Sequence, residues 1–214
     1  MGRPREHDSA TQAALLQAAG QLLAAEGPGA VSVRRLAEET GTSTRAVYSL
    51  FGSKRGLLRA LFAQAAEVMR AHHEAVPVRD DPVAEVLDLA LAYRAGALAE
   101  PNLYDLYLGG WSVADLCPTE DDLALARRSH DRVLDAVRRC ADAGLLGGRD
   151  PVPVTLELWA LVHGLASLEL HGFLRDGGSS QRLWRDAVAA MLCGYERPVE
   201  SVAAATPLHP QADR

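Results

Sequence analysis

Residues 41–54 read GTSTRAVYSLFGSK. Short hydroxyls (Ser43, Thr44, Ser49), a guanidinium (Arg45), a phenol (Tyr48) and an ammonium (Lys54) stand close together here. No general base accompanies them, so their chemistry is hydrogen bonding to oxygen and nitrogen rather than bond cleavage. An arginine can make two parallel bonds to the edge of guanine, worth about 1–3 kcal/mol of discrimination. Ser43 and Thr44 can serve either base pair. Tyr48 and Lys54 suit phosphate oxygens, contacts that orient a protein without specifying sequence. Arg3 and Arg5 sit in an N-terminal arm that could reach a backbone or a minor groove. Ser32, at a helix start, offers backbone N–H groups to another phosphate. The competing reading is a scaffold helix with a solvated polar face.

The elements around this stretch decide between the two. Val47, Leu50 and Phe51 fall at i, i+3 and i+4, one apolar side of a short helix. Ala37 supplies a small side chain, Gly41 a turn residue tolerant of positive φ, and Val47 an apolar residue facing back. Small–x3–Gly–x5–apolar is the spacing of a helix-turn-helix. A recognition helix places its N-terminal residues at base edges, and Thr42-Ser43-Thr44-Arg45 is short-chained, polar and cationic.

Upstream, Ser9 to Gln12 matches a capping box, and Leu15, Leu16, Ala19, Leu22 and Leu23 share a face. Ser53 is placed to cap a long helix over 54–75, with Leu57, Leu58, Leu61, Phe62, Ala65 and Met69 on its buried side. Further helices are predicted over 82–99, from 119 to about 143, over 154–174 and over 180–195. A broken segment near Pro101 carries Tyr104, Tyr107 and Trp111, and GGRDPVP (147–153) reads as a linker. The expected fold is all-α, about nine helices. A helix-turn-helix module over 1–52 precedes a larger helical body over 53–197, and the proline-containing tail 198–214 is expected to be disordered.

Composition agrees. The chain has 214 residues, 48% hydrophobic and only 5% aromatic, a mix that favours packed helices over sheets. The net charge is −6, yet residues 1–56 hold seven basic and five acidic side chains. A locally basic start in an acidic chain is compatible with a polyanionic partner. Three scattered cysteines (Cys117, Cys140, Cys193) form no ligand spacing and point to a reducing cytoplasm. No apolar run reaches the roughly 18 residues of a bilayer span, so neither export nor a membrane is expected.

VSVRRLAEETGTSTRAVYSLFGSKRGLLRAL (31–61) resembles the DNA-binding signature of TetR-family bacterial transcriptional regulators. The resemblance rests on Val33, Leu36-Ala37, Gly41, Ser43, Tyr48, Phe51, Ser53-Lys54 and Leu57-Leu58. It places DNA contacts at Thr44, Arg45, Ala46, Tyr48, Ser49, Leu50 and Lys54. Thr42, Arg45 and Leu50 depart from the commoner aliphatic, small and histidine residues, so no known operator sequence carries over. The resemblance further implies a homodimer through the last two helices, a small-molecule effector in the C-terminal body and a double-stranded DNA operator.

The dimer also has an independent argument: 154–174 is apolar almost all round, which a surface helix is not unless a partner or a thick core covers it. Leu161, Leu165, Leu168, Trp184, Ala187, Val188 and Met191 are the interface candidates. Trp159-x3-His163-Gly164 resembles a signature of one branch of the family. Candidate pocket residues are Tyr104, Tyr107, Trp111, Trp159, His163 and Ser167, with Glu169 and His171 behind them; an aromatic stripe at helical spacing can equally be core. No cofactor or metal is expected. An enzyme would need a nucleophile with its base, paired carboxylates or a ligand cluster, and GxSxG, HExxH, GxGxxG and the phosphate-loop motif are all missing. His72-His73-Glu74 is not helix-spaced and reads as a solvated face. A transcriptional activator and a DNA binder without an effector remain open beside the repressor.

Overall fold

The computed structural model describes residues 5–101, 103, 104, 119–174 and 177–196. Arg3, Tyr107, Trp111, Cys117 and the tail 198–214 lie outside them. Among the described residues there is no strand, and the elements are nine α-helices and one 3-10 turn. The helices are α1 (Arg5–Glu26), α2 (Val33–Glu39), α3 (Thr44–Phe51), α4 (Lys54–Glu74), α5 (Pro82–Ala99), α6 (Glu120–Arg128), α7 (Asp131–Asp142), α8 (Pro151–Leu170) and α9 (Gly177–Tyr195). The chain forms two compact units, Met1–Ala71 with Gly96–Ser129, and His72–Ala95 with His130–Arg214. These cut the chain differently from the expected division at 52/53.

In the first unit, α1 packs on α2 and α3. Leu15, Ala19, Leu22, Val31, Leu36, Ala37, Val47, Leu57 and Leu61 close one apolar core. Each turn has a local cause. Ser32 Oγ accepts from Arg35 N–H (3.3 Å) and caps α2; Ser43 Oγ accepts from Ala46 N–H (3.1 Å) and caps α3. Between them Gly41 takes φ 65°, where a side chain is strained, and Thr42 N–H donates to Ala37 C=O (2.9 Å). Ser53 Oγ accepts from Gly56 N–H (3.0 Å) and opens α4. A β-carbon on Gly56 would stand 1.9 Å from the Phe51 carbonyl oxygen, so only glycine lets the end of α3 lie against the first turn of α4.

In the second unit α7 packs on α8, and α8 on α9. Tyr93, Ala136, Val137, Leu158, Trp184 and Val188 are buried there. Glu85, 0% exposed, is held by Arg132 (2.5 Å), Arg139 (2.5 Å) and the Arg79 backbone N–H (2.8 Å). Arg132 also donates to the Val76 carbonyl (3.2 Å), and Arg139 to that of Arg79. The loop after α4 is thereby tied to α7.

Several sequence expectations need correction. Ser9–Gln12 lie inside α1, which starts at Arg5, so Arg5 belongs to a helix rather than a free arm. The helix expected from 119 to 143 is two: the Ser129 hydroxyl donates to the Ala126 carbonyl (2.7 Å), competing with the helical ladder, and α7 begins only at Asp131. DPVP is no linker but a helix start. Asp150 accepts from Val152 N–H (2.9 Å), and Pro151 occupies the first turn, where a missing N–H costs nothing. This starts α8 three residues earlier than expected, and it ends at Leu170 rather than 174; its 20 residues are by length and hydropathy enough to cross a bilayer. Here one side of it lines the core of the second unit.

Candidate nucleic-acid interface and interior cavity

Helix α3 buries Val47 and rests Leu50 and Phe51 against the first unit's core. Ser43, Thr44, Arg45, Tyr48 and Ser49 are exposed, with Tyr48 at 53% and Lys54 beside them. Ala46 and Leu50 are half-buried. The capping bond occupies one acceptor lone pair of the Ser43 hydroxyl and leaves its proton available to donate. Ser32 is used in the same way on α2.

The surrounding charges sort themselves into two groups. Arg34 pairs with Glu38 (3.0 Å). Arg35 forks onto Glu26 (2.7 and 2.5 Å) and reaches Glu39 (3.2 Å). The hydrogen bonds that Arg35 donates to Glu26 hold its guanidinium well above the ordinary range, and the same contacts depress Glu26. Arg45, Lys54 and Arg55 enter no ion pair among the described residues. The unneutralised cations therefore gather at α3 and the first turn of α4, while α2 is internally balanced.

The second unit contains a small cavity walled by rings from four segments: His73, Tyr93, His130 and Trp159. Val86, Leu89, Ala90, Val133, Leu158 and Val162 complete it. Its free space is about 20 Å3, room for one water molecule. The rings form a chain: His73 stacks on Tyr93 (6.1 Å), tilts towards His130 (6.1 Å), and His130 meets Trp159 edge-on (5.2 Å). Trp159 stacks in turn on His163 (6.3 Å), whose burial pushes its imidazole below the ordinary value.

Among the residues expected at a pocket, Trp159 lines this cavity and His163 backs it. Tyr104 belongs to the first unit and lines a smaller hollow there with Met69 and Leu103. Ser167 is half-buried, and its carbonyl meets His171 Nδ1 (2.7 Å) at the end of α8. Glu169 pairs with Arg94 (2.8 Å) and accepts from Trp184 Nε1–H (3.0 Å). His73 is 1% exposed, which corrects the solvated-face reading. An adjacent His-His pair hides the signal, because only one of two neighbours on a helix can face inward. His130, at the helix break, is hidden in the sequence for the same reason as the break.

The interface candidates divide. Leu165, Trp184 and Val188 are buried within the single chain and serve its own core. Leu161, Ala187 and Met191 are half-buried, and Leu168 is 45% exposed. Leu156, Ala160, Gly164 and Leu168 form an exposed apolar stripe at four-residue spacing on α8.

Two family models match the chain: "Bacterial regulatory proteins, tetR family" over residues 15–61, and "Tetracyclin repressor-like, C-terminal domain" over 86–191. Together they take in well over half of it. The chain belongs to the TetR family. As a TetR-family protein it is a DNA-binding transcriptional regulator, and the polar face of α3 lies within the family's DNA-binding domain.

Solved structures share the fold. A protein of unknown function from Rhodococcus sp. RHA1 is 27% identical, with a TM-score of 0.77 over 92% of this chain and 100% of that one. The TetR-family transcriptional regulator PfmR from Thermus thermophilus is 23% identical, TM-score 0.65, over 86% and 99%. A tetR-family regulatory protein from Rhodococcus RHA1 is 19% identical, TM-score 0.70, over 86% and 96%. No curated protein matches the chain.

Proposed function

We propose that this TetR-family regulator is a repressor that binds a pseudo-palindromic operator as a homodimer and leaves it when a small, partly apolar effector enters the second unit. Residues 1–52 form the DNA reader and 53–197 the regulatory body. The observation that carries the reading is the exposed set Thr44, Arg45, Tyr48, Ser49 and Lys54 on and beside α3, where Arg45, Lys54 and Arg55 enter no ion pair among the described residues. Arg45 reads a base edge, while Tyr48 and Lys54 hold phosphates. One module this small binds weakly, and a two-fold dimer engaging half-sites about 34 Å apart is the remedy. The exposed stripe Leu156–Ala160–Gly164–Leu168 supports that dimer, since small residues let a partner helix approach closely. The cavity supports the effector. Its residue His73 lies on α4, the helix whose first turn abuts α3, so a guest that shifts His73 acts on the reader's own footing.

Selection of bound fragments from random duplex DNA tests the reading: an inverted repeat is expected, and a folded protein that enriches no sequence at modest salt would contradict it. The narrow free space, about 20 Å3, favours one second reading, a DNA binder of the same fold without an effector. Operator release by no member of a broad library of small molecules would support it.

A further inference from the structure

We infer that the cavity of the second unit takes an uncharged, flat, single-ring aromatic molecule carrying one oxygen acceptor, in the class of alkylphenols and aryl ketones. This rests on the reading of the cavity as the effector site. Four observations narrow the class. First, the wall is a continuous run of rings, Tyr93, His73, His130 and Trp159, with successive centroids 6.1, 6.1 and 5.2 Å apart. An aromatic guest continues this run through stacked and edge-on contacts that a puckered aliphatic ring of equal size cannot make.

Second, none of the lining residues is Asp, Glu, Lys or Arg. Glu85, Asp88 and Arg94, each next to a lining residue in sequence, are already held in ion pairs, with Arg132 (2.5 Å), Arg79 and Glu169 (2.5 Å) respectively. A charged guest would lose its hydration and find no permanently charged partner in the wall, whose ionisable groups are the His73 and His130 imidazoles and the Tyr93 phenol. Third, Trp159 Nε1–H is shielded from solvent and has no acceptor among the described residues. A buried donor of this kind is satisfied by an oxygen on the guest. Fourth, the free space holds only a water, so the guest must displace a ring to enter. Of the four rings His130 and Trp159 are only half-buried, and a single ring is the size that one ring's displacement admits.

The full-length protein is titrated with three probes of one size: p-cresol (flat, neutral), p-toluate (flat, anionic at neutral pH) and 4-methylcyclohexanol (neutral, puckered). Binding is read by calorimetry and by quenching of tryptophan emission. p-Cresol is expected to bind about tenfold or more tighter than either of the others. Val133→Phe, which fills the cavity, abolishes that binding while an unchanged far-ultraviolet circular dichroism spectrum and a cooperative thermal melt show the protein folded. Trp159→Phe keeps a ring but removes the N–H. It is expected to weaken p-cresol several-fold and leave p-xylene, which has no oxygen, unchanged. p-Toluate or 4-methylcyclohexanol binding as tightly as p-cresol, and blocked by Val133→Phe, would overturn the ligand class while keeping the cavity as a site. Equal loss of p-xylene and p-cresol in Trp159→Phe would overturn the hydrogen bond. p-Cresol bound as expected but releasing no operator would leave the class standing and sink the effector reading instead.

Discussion

At the residue scale, single atoms set what the DNA-reading module tolerates. The Phe51 carbonyl oxygen lies where a β-carbon on residue 56 would be, so Gly56→Ala forces either α3 or α4 to shift. The better helix propensity of alanine offsets only part of this strain. A net loss of about 1–3 kcal/mol is expected, measured as a lower midpoint in urea, with operator affinity falling as α3 is displaced. This glycine was not legible in the sequence, because a glycine in a first helical turn carries no signal until the neighbouring carbonyl is placed. Gly41 and Val47 were legible: a fixed spacing in one short stretch encodes both the turn and the residue that packs behind it.

Glu85 shows the opposite case, a buried charge that the sequence alone leaves among other acidic residues. Burial pushes its carboxyl up, but the Arg79 N–H and the Arg132 and Arg139 guanidinium groups outweigh burial and hold it below its ordinary value of 4.5. The native state therefore binds fewer protons than the unfolded one in this window. Its contribution to stability is full above about pH 4.5 and is lost as pH falls through the depressed value. Thermal unfolding followed from pH 6 to pH 3 should show this decline, and Glu85→Gln should flatten it. Glu85→Ala leaves two arginines facing an apolar site and is expected to cost about 3–5 kcal/mol.

At the element scale, helix identity was legible wherever periodicity was long, and boundaries failed where a single side chain decided them. The apolar face of α4 follows from the spacing of Leu57, Leu58, Leu61, Phe62 and Ala65, all buried. The break between α6 and α7 falls at Ser129-His130, where the serine hydroxyl returns to a carbonyl three residues back. The break has a functional consequence. It sets His130 at the start of α7, two residues before Arg132, so one helix end both walls the cavity and clamps the loop after α4. Arg132→Met removes one arm of the clamp, leaving Arg139 on Glu85 and the Arg79 carbonyl, yet keeps the stem. Weakened coupling is expected, with effector binding retained while operator release requires more ligand, as a titration of bound operator would register.

At the scale of the whole molecule, the apolar surplus of α8 divides between two uses. Leu158, Val162 and Leu165 turn into the chain's own core; Leu156 (58% exposed) and Leu168 (45%) remain outside. Sequence could detect the surplus but not partition it, since the helix is apolar almost all round. The partition makes two kinds of variant behave differently. Leu156→Glu with Leu168→Glu should change unfolding free energy by about 0.5 kcal/mol or less per site. It should nevertheless give a monomer in sedimentation, with operator affinity down about 10²–10⁴-fold as bivalent binding is lost. Trp184→Ala should cost about 3–5 kcal/mol of stability, because that ring is fully buried in one chain.

The central claim is that the exposed face of α3 reads base edges. Its most direct measurement is a cycle on the selected operator at one fixed salt concentration, pairing wild type and Arg45→Ala with the duplex and with single base-pair changes in each half-site. If Arg45 contacts a guanine, the mutant loses about 1–3 kcal/mol per half-site on the intact operator. It then loses nothing further when that one symmetric base pair is changed. A loss that is the same at every base pair, and that vanishes at higher salt, would make Arg45 a phosphate contact and contradict the account.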